Sequence, residues 1–191
     1  MSKTLKSYLF LFTLVGAIIA FDQWTKYLVR LYIPFGGQWA PWDWLLPYAR
    51  LVHWQNTGAA FGMFQRFGDV FKVLAMVVSA VIVYYFPRVP EEDWWLRLAL
   101  AMQCGGALGN LVDRFTQGYV TDFVSVGNFA VFNVADSSIS VGVAILLVGV
   151  WFKERAQARA VAASSQAAAL TVQPPSAEIA SPDAVETPSS E

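Results

Sequence analysis

Apolar residues gather into four long stretches, at about residues 8–24, 71–86, 94–112 and 139–152, separated by segments rich in Trp, Gly, Asn and charge. Each is near the roughly 20 residues that a membrane-spanning helix needs, with polar flanks such as Asp22, Arg97 and Lys153 completing the length. The pattern predicts an α-helical integral membrane protein with four transmembrane helices. The first exterior loop, about residues 25–69, is too long for a simple turn. Its residues 50–55 predict a short strand broken by Asn56-Thr57-Gly58, and Trp39, Trp42, Trp44 and Trp54 suit a segment at headgroup level. A small exterior β-containing region is therefore expected, with the second exterior loop at about 113–137. Residues 161–191 lack any aromatic and turn to Ala, Ser, Pro and Glu. Two parts are expected: a four-span domain over 1–159 and a disordered cytoplasmic tail over 160–191.

Composition agrees with the pattern, since 56% of residues are apolar and only 14% are charged. A net charge of −1 with no basic stripe argues against a nucleic-acid partner. Lys3, Lys6, Arg88, Arg97, Lys153, Arg155 and Arg159 fall on one side of a four-span chain, against Lys26, Arg30, Arg50, Arg66 and Arg114 on the other. That bias places both termini in the cytoplasm. Lys3 and Lys6 before an apolar core resemble a secretory leader, but the run passes into Phe21-Asp22-Gln23 with no Ala-x-Ala site, so an uncleaved first span is expected.

The candidate chemistry lies where charge is rarest. Between Leu98 and Phe152 the charged residues are Asp113, Arg114, Asp122 and Asp136. Ionised carboxylates are costly beside hydrocarbon and need a reason to be there. Asp113 has Arg114 beside it, and one of the two is expected to cap or brace the end of the third helix. Asp122 and Asp136 have no basic neighbour in sequence; brought together they would share a proton, one acting as base toward water and the other as acid toward a carbonyl oxygen. Capping of the fourth helix by Asp136 is the plainer alternative. Asp22 and Lys26, four apart, can pair on one helix face at the end of the first span. Gly105 and Gly109 have the spacing of close helix packing. His53 lacks companions for a metal site, and Cys104, deep in an apolar span, is expected to stay protonated and inert. No metal or cofactor is implied. A transporter or proton relay using intramembrane carboxylates is the rival class; acids clustered on one side without inverted repeats favour hydrolysis.

Five ordered motifs sharpen this reading. Asp22-Gln23-Trp24-Thr25-Lys26, Gln55-Asn56-Thr57-Gly58-Ala59-Ala60-Phe61-Gly62, Gly105-Gly106-Ala107-Leu108-Gly109-Asn110-Leu111-Val112-Asp113-Arg114, Val120-Thr121-Asp122-Phe123 and Phe132-Asn133-Val134-Ala135-Asp136-Ser137 resemble, in order, those of the bacterial lipoprotein signal peptidases, also called signal peptidase II. The resemblance covers roughly residues 8–153. It implies an aspartyl endopeptidase of the bacterial inner membrane that needs no cofactor, and a monomer would suffice for it. Its substrates would be prolipoproteins carrying a diacylglyceryl group, cut at the periplasmic face among membrane lipids. By motif, Asp122 and Asp136 would be the catalytic pair. Asn56, Asn110, Arg114 and Asn133 would shape the site, and Asp113, Asp22 and Lys26 would support it. Phe61, Met63, Phe64 and the fourth helix are candidates to receive the acyl chains.

Overall fold

The computed structural model describes residues 1–58 and 68–171; Phe61, Met63, Phe64 and the Ala59–Gly62 part of the second motif lie outside the described residues. Among these are four long helices, α1 (Lys3–Tyr32), α2 (Gly68–Tyr85), α3 (Trp94–Thr116) and α4 (Val134–Thr171), and three short strands, β1 (Gln38–Trp39), β2 (Ala49–Asn56) and β3 (Val120–Val126). The chain divides into two units, Met1–Trp151 and Phe152–Glu191. The first holds the helical bundle and the sheet. The described side chains of the second, on the continuation of α4, are exposed.

The apolar stretches do become helices, but their ends differ from expectation. Nothing between Trp24 and Tyr32 breaks a helix, so α1 runs on until Ile33 turns extended (φ −112°, ψ 116°), as the residue before Pro34 must. The first loop therefore begins after Tyr32, not at Thr25, and Asp22 and Lys26 sit inside the helix, not at its end. Likewise α3 continues to Thr116 and α4 starts at Val134, five residues before the fourth apolar stretch. At its far end α4 continues to Thr171, past Arg159. The run is rich in Ala, the best helix former, and contains no Gly or Pro.

Among the described residues three helices are long and apolar enough to cross a membrane, Lys3–Tyr32, Gly68–Arg88 and Val134–Gln166. Their apolar side chains, including Leu9, Phe12, Val77, Val81, Leu147 and Val148, face outward, the inverse of a water-soluble bundle. The 23-residue α3 is long enough but more polar, and it is the inner helix. It packs on α1 and α2 and buries Arg97, Cys104, Asn110 and Asp113. The Arg97 guanidinium lies over the Phe86 ring at 5.0 Å. Close approach to α1 depends on the two small residues: a Cβ on Gly105 would meet Ile18 at 3.0 Å, and one on Gly109 would meet Asp22 Oδ2 at 2.9 Å.

The strands form an antiparallel sheet in the order β1-β2-β3. The expected strand at 50–55 is β2, whose register sets Trp54 opposite Asp122 and Asn56 opposite Val120, with a bulge between Leu51 and Trp54. Trp39, Trp42, Trp44 and Trp54 are all exposed, and Trp42 stacks on Trp44.

Candidate active site

Residues Asp22, Lys26 and Arg30 recur every four positions and lie on one stripe of α1. That stripe faces α3. Lys26 Nζ, fully buried, contacts Asp22 Oδ2 at 2.8 Å and Asp113 Oδ2 at 3.1 Å, and donates to Asn110 Oδ1 at 2.9 Å. Arg30 lies 3.9 Å from Asp113 Oδ1 and donates to Thr121 Oγ1. Gln23 Nε2 donates to Asp113 Oδ1, and the Thr121 peptide N–H to Asp113 Oδ2. Asp22 Oδ1 accepts the Ala135 N–H at 2.9 Å, tying α1 to the first turn of α4. Two carboxylates thus face two cations, a balance that makes burial tolerable.

Asp113 does not pair with its sequence neighbour. Successive residues on a helix point about 100° apart. Arg114 turns away, donating to the carbonyls of Gly58 (3.4 Å) and Asn110 (3.5 Å), with its guanidinium 5.4 Å from the Phe71 ring centroid. Asp113 instead takes its cations from α1.

Asp122 and Asp136 are held differently. Asp122 accepts from Asn133 Nδ2 at 2.7 Å and from Asn56 Nδ2 at 2.9 Å. The latter lies two residues beyond the cross-strand partner of Asp122, on the same face. Asp136 accepts from Asn110 Nδ2 at 2.7 Å and from the Asn133 peptide N–H at 3.2 Å. Among the described residues neither carboxylate has a Lys or Arg salt-bridge partner. The asparagines cannot flip. Lys26 can only donate, so Asn110 presents Oδ1 to it and Nδ2 to Asp136. Asn133 Oδ1 accepts the Asp136 N–H, leaving Nδ2 for Asp122 and for Asn110 Oδ1. Asn133 and Asp136 thereby form a reciprocal cap on α4, so capping and participation in the site are one arrangement.

Both carboxylates open into a cavity of about 520 Å³, which Asn56, Gly58, Asn110 and Arg114 also line, with apolar walls from Val131, Phe132 and Ile139. Asp122 is 2% exposed. Burial pushes its carboxyl up to about 7; the like charge of Asp136 acts in the same sense, against the hydrogen bonds from Asn56 and Asn133. The arrangement can hold one proton between two acids facing a cavity, as hydrolysis by water requires.

All nine site residues expected from the sequence meet here. Gln23, Arg30 and Thr121 were missed as site residues. Arg30 could have been found by extending the Asp22, Lys26 spacing one further turn. His53 is buried elsewhere, its Nδ1 donating to the Ile33 carbonyl, and Cys104 packs among Leu11, Val15 and Phe86.

Comparison with known proteins gives concordant matches. The family described as signal peptidase (SPase) II matches residues 14–152. A lipoprotein signal peptidase of Mesorhizobium japonicum is 41% identical over 155 residues, covering 76% of this chain and 89% of that protein. One from Caldanaerobacter subterraneus subsp. tengcongensis is 42% identical over 135 residues, covering 70% and 90%. A solved structure described as a bacterial membrane enzyme, at 2.3 Å resolution, superposes with a TM-score of 0.69 at 25% identity, covering 75% of this chain and 88% of that one.

Proposed function

The chain belongs to the signal peptidase II family, and from that premise we propose that it is an aspartyl endopeptidase that removes signal peptides from diacylglyceryl-modified prolipoproteins. The observation that carries the mechanism is the division among four acids: Asp22 and Asp113 are neutralised by Lys26 and Arg30, whereas Asp122 and Asp136 share a cavity and are bonded by neutral donors. With its carboxyl raised to about 7, Asp122 is the group to carry the proton near neutrality and to donate it to the scissile carbonyl oxygen. Asp136 sits in the first turn of α4, where the helix N-terminus favours negative charge, and takes the proton of the attacking water. The tetrahedral intermediate then collapses as the leaving amine is protonated, and the pair exchanges roles. Asn56 and Arg114, at the cavity wall, are placed to hold the substrate backbone.

In this reading the enzyme is a monomer of the bacterial inner membrane, with both termini cytoplasmic and the cavity at the outer face, where a lipid-anchored precursor presents its scissile bond. Purified protein in detergent, given matched precursor peptides with and without the diacylglyceryl group, tests it. Cleavage should require the lipid, and Asp122→Asn and Asp136→Asn should each lower the rate by at least about 10²-fold while the protein remains folded. Near-normal processing by either variant would remove the dyad assignment. Equal rates on the two precursors would point to a general membrane protease.

A further inference from the structure

Beside the cavity that holds the two carboxylates, a groove of about 360 Å³ opens on the flank of the bundle where α1, α3 and α4 meet. Ala17, Ile18 and Phe21 line it from α1, Met102 from α3 and Val134 and Ser138 from α4. Ser137 and Val141, one turn apart on α4, line both the groove and the catalytic cavity, so the two spaces adjoin along that helix.

The groove has no use for a polar occupant. Ser137 Oγ donates to the Asn133 carbonyl and Ser138 Oγ to the Met102 carbonyl, each at 2.9 Å, so both hydroxyl protons are engaged by backbone. A peptide group placed there would find no side-chain donor for its carbonyl oxygen. A hydrocarbon chain needs none.

We propose that this groove receives one acyl chain of the lipid-modified substrate while the peptide lies in the catalytic cavity; the inference rests on the endopeptidase reading above. A chain moving from bilayer to groove exchanges one apolar surround for another, so little hydrophobic free energy is gained. What the groove supplies is register. The acyl chain is covalently tied to the substrate cysteine, and fixing it at Ser137 and Val141 fixes the distance of the adjoining peptide bond from Asp122 and Asp136.

The test uses the full-length Asp136→Asn protein in vesicles of defined phospholipid, with a precursor whose acyl chains carry a diazirine. Photolabelling is expected on Ala17, Ile18, Phe21 and Met102. Labelling confined to other surfaces would overturn the proposal. So would equal labelling of these residues by a phospholipid bearing the same diazirine chain, which marks a bulk-lipid site, or their labelling by a photoreactive residue in the signal segment. As a second measurement, Ala17→Phe, at an exposed position that displaces no core, should raise KM about tenfold for a long-chain precursor relative to a short-chain one. An unchanged ratio in a folded variant would overturn the assignment. If the wild-type protein cleaves neither precursor, the endopeptidase reading fails first and takes this inference with it.

Discussion

Lys26 is completely buried, yet it answers three acceptors at once: Asp22, Asp113 and Asn110. Replacing it by Met would fill the same space and leave two buried carboxylates short of a cation, so Lys26→Met should cost about 3–5 kcal/mol of stability. Unfolding in detergent measures this, and a variant that melts with the wild type would show the network to be dispensable. The pH behaviour of Asp122 has the opposite origin. Its carboxyl is raised from 3.8 to about 7, so the folded state favours the protonated form. The stability this contributes is complete below about pH 4 and is lost as pH rises through about 7. Relative to Asp122→Asn, the wild type should therefore lose stability between pH 4 and 8. Activity, which needs one proton on the pair, should fall on the alkaline side with an apparent limb near pH 7 that belongs to both acids. A flat rate profile from pH 6 to 8.5 would contradict the shared-proton mechanism.

Between helices, the site depends on how closely α3 and α4 approach. A Cβ on Gly106 would lie 2.4 Å from the Ala135 carbonyl oxygen and 2.7 Å from Ile139 Cγ1. The Ala135 peptide also donates to Asp22 and is followed directly by Asp136, so forcing the helices apart moves the Asp136 carboxylate away from the cavity it shares with Asp122. Gly106→Ala should destabilise by about 1–3 kcal/mol and lower activity with it. Gly16→Ala is the control, because nothing lies within 4 Å of its Cβ and a helical Ala is favoured there. Equal melting temperatures for the two variants would show that α4 accommodates the methyl group. Helix ends were less legible than helix centres. Continuation of α1 to Tyr32 and the start of α4 at Val134 were set by Pro34 and by the Asn133–Asp136 cap, local signals weaker than the apolar periodicity they interrupt.

At the scale of the whole molecule, the family match ends at residue 152 and the first unit at Trp151. Truncation after Arg159 should leave cleavage of a lipidated precursor within about twofold of the full chain, since the described side chains beyond it, residues 160–166, are all exposed. A large loss of activity in a truncated protein that still accumulates would assign the C-terminal segment a part in catalysis.

Much of this was already written along the chain. The cost of placing charge among apolar residues depends on composition alone, so the rarity of acids between Leu98 and Phe152 marked Asp113, Asp122 and Asp136 without any fold. Motif order then identified the asparagines and Arg114. Which acids are neutralised by a cation and which are held by neutral donors was decided only in three dimensions. Asp113 has an arginine next to it in sequence but draws its cations from Lys26 and Arg30 on another helix, while Asn110, 84 residues from Lys26, has its amide turned by that lysine toward Asp136. Adjacency in sequence sends helical side chains in different directions. Charge balance in a buried site is settled by the neighbours that packing supplies.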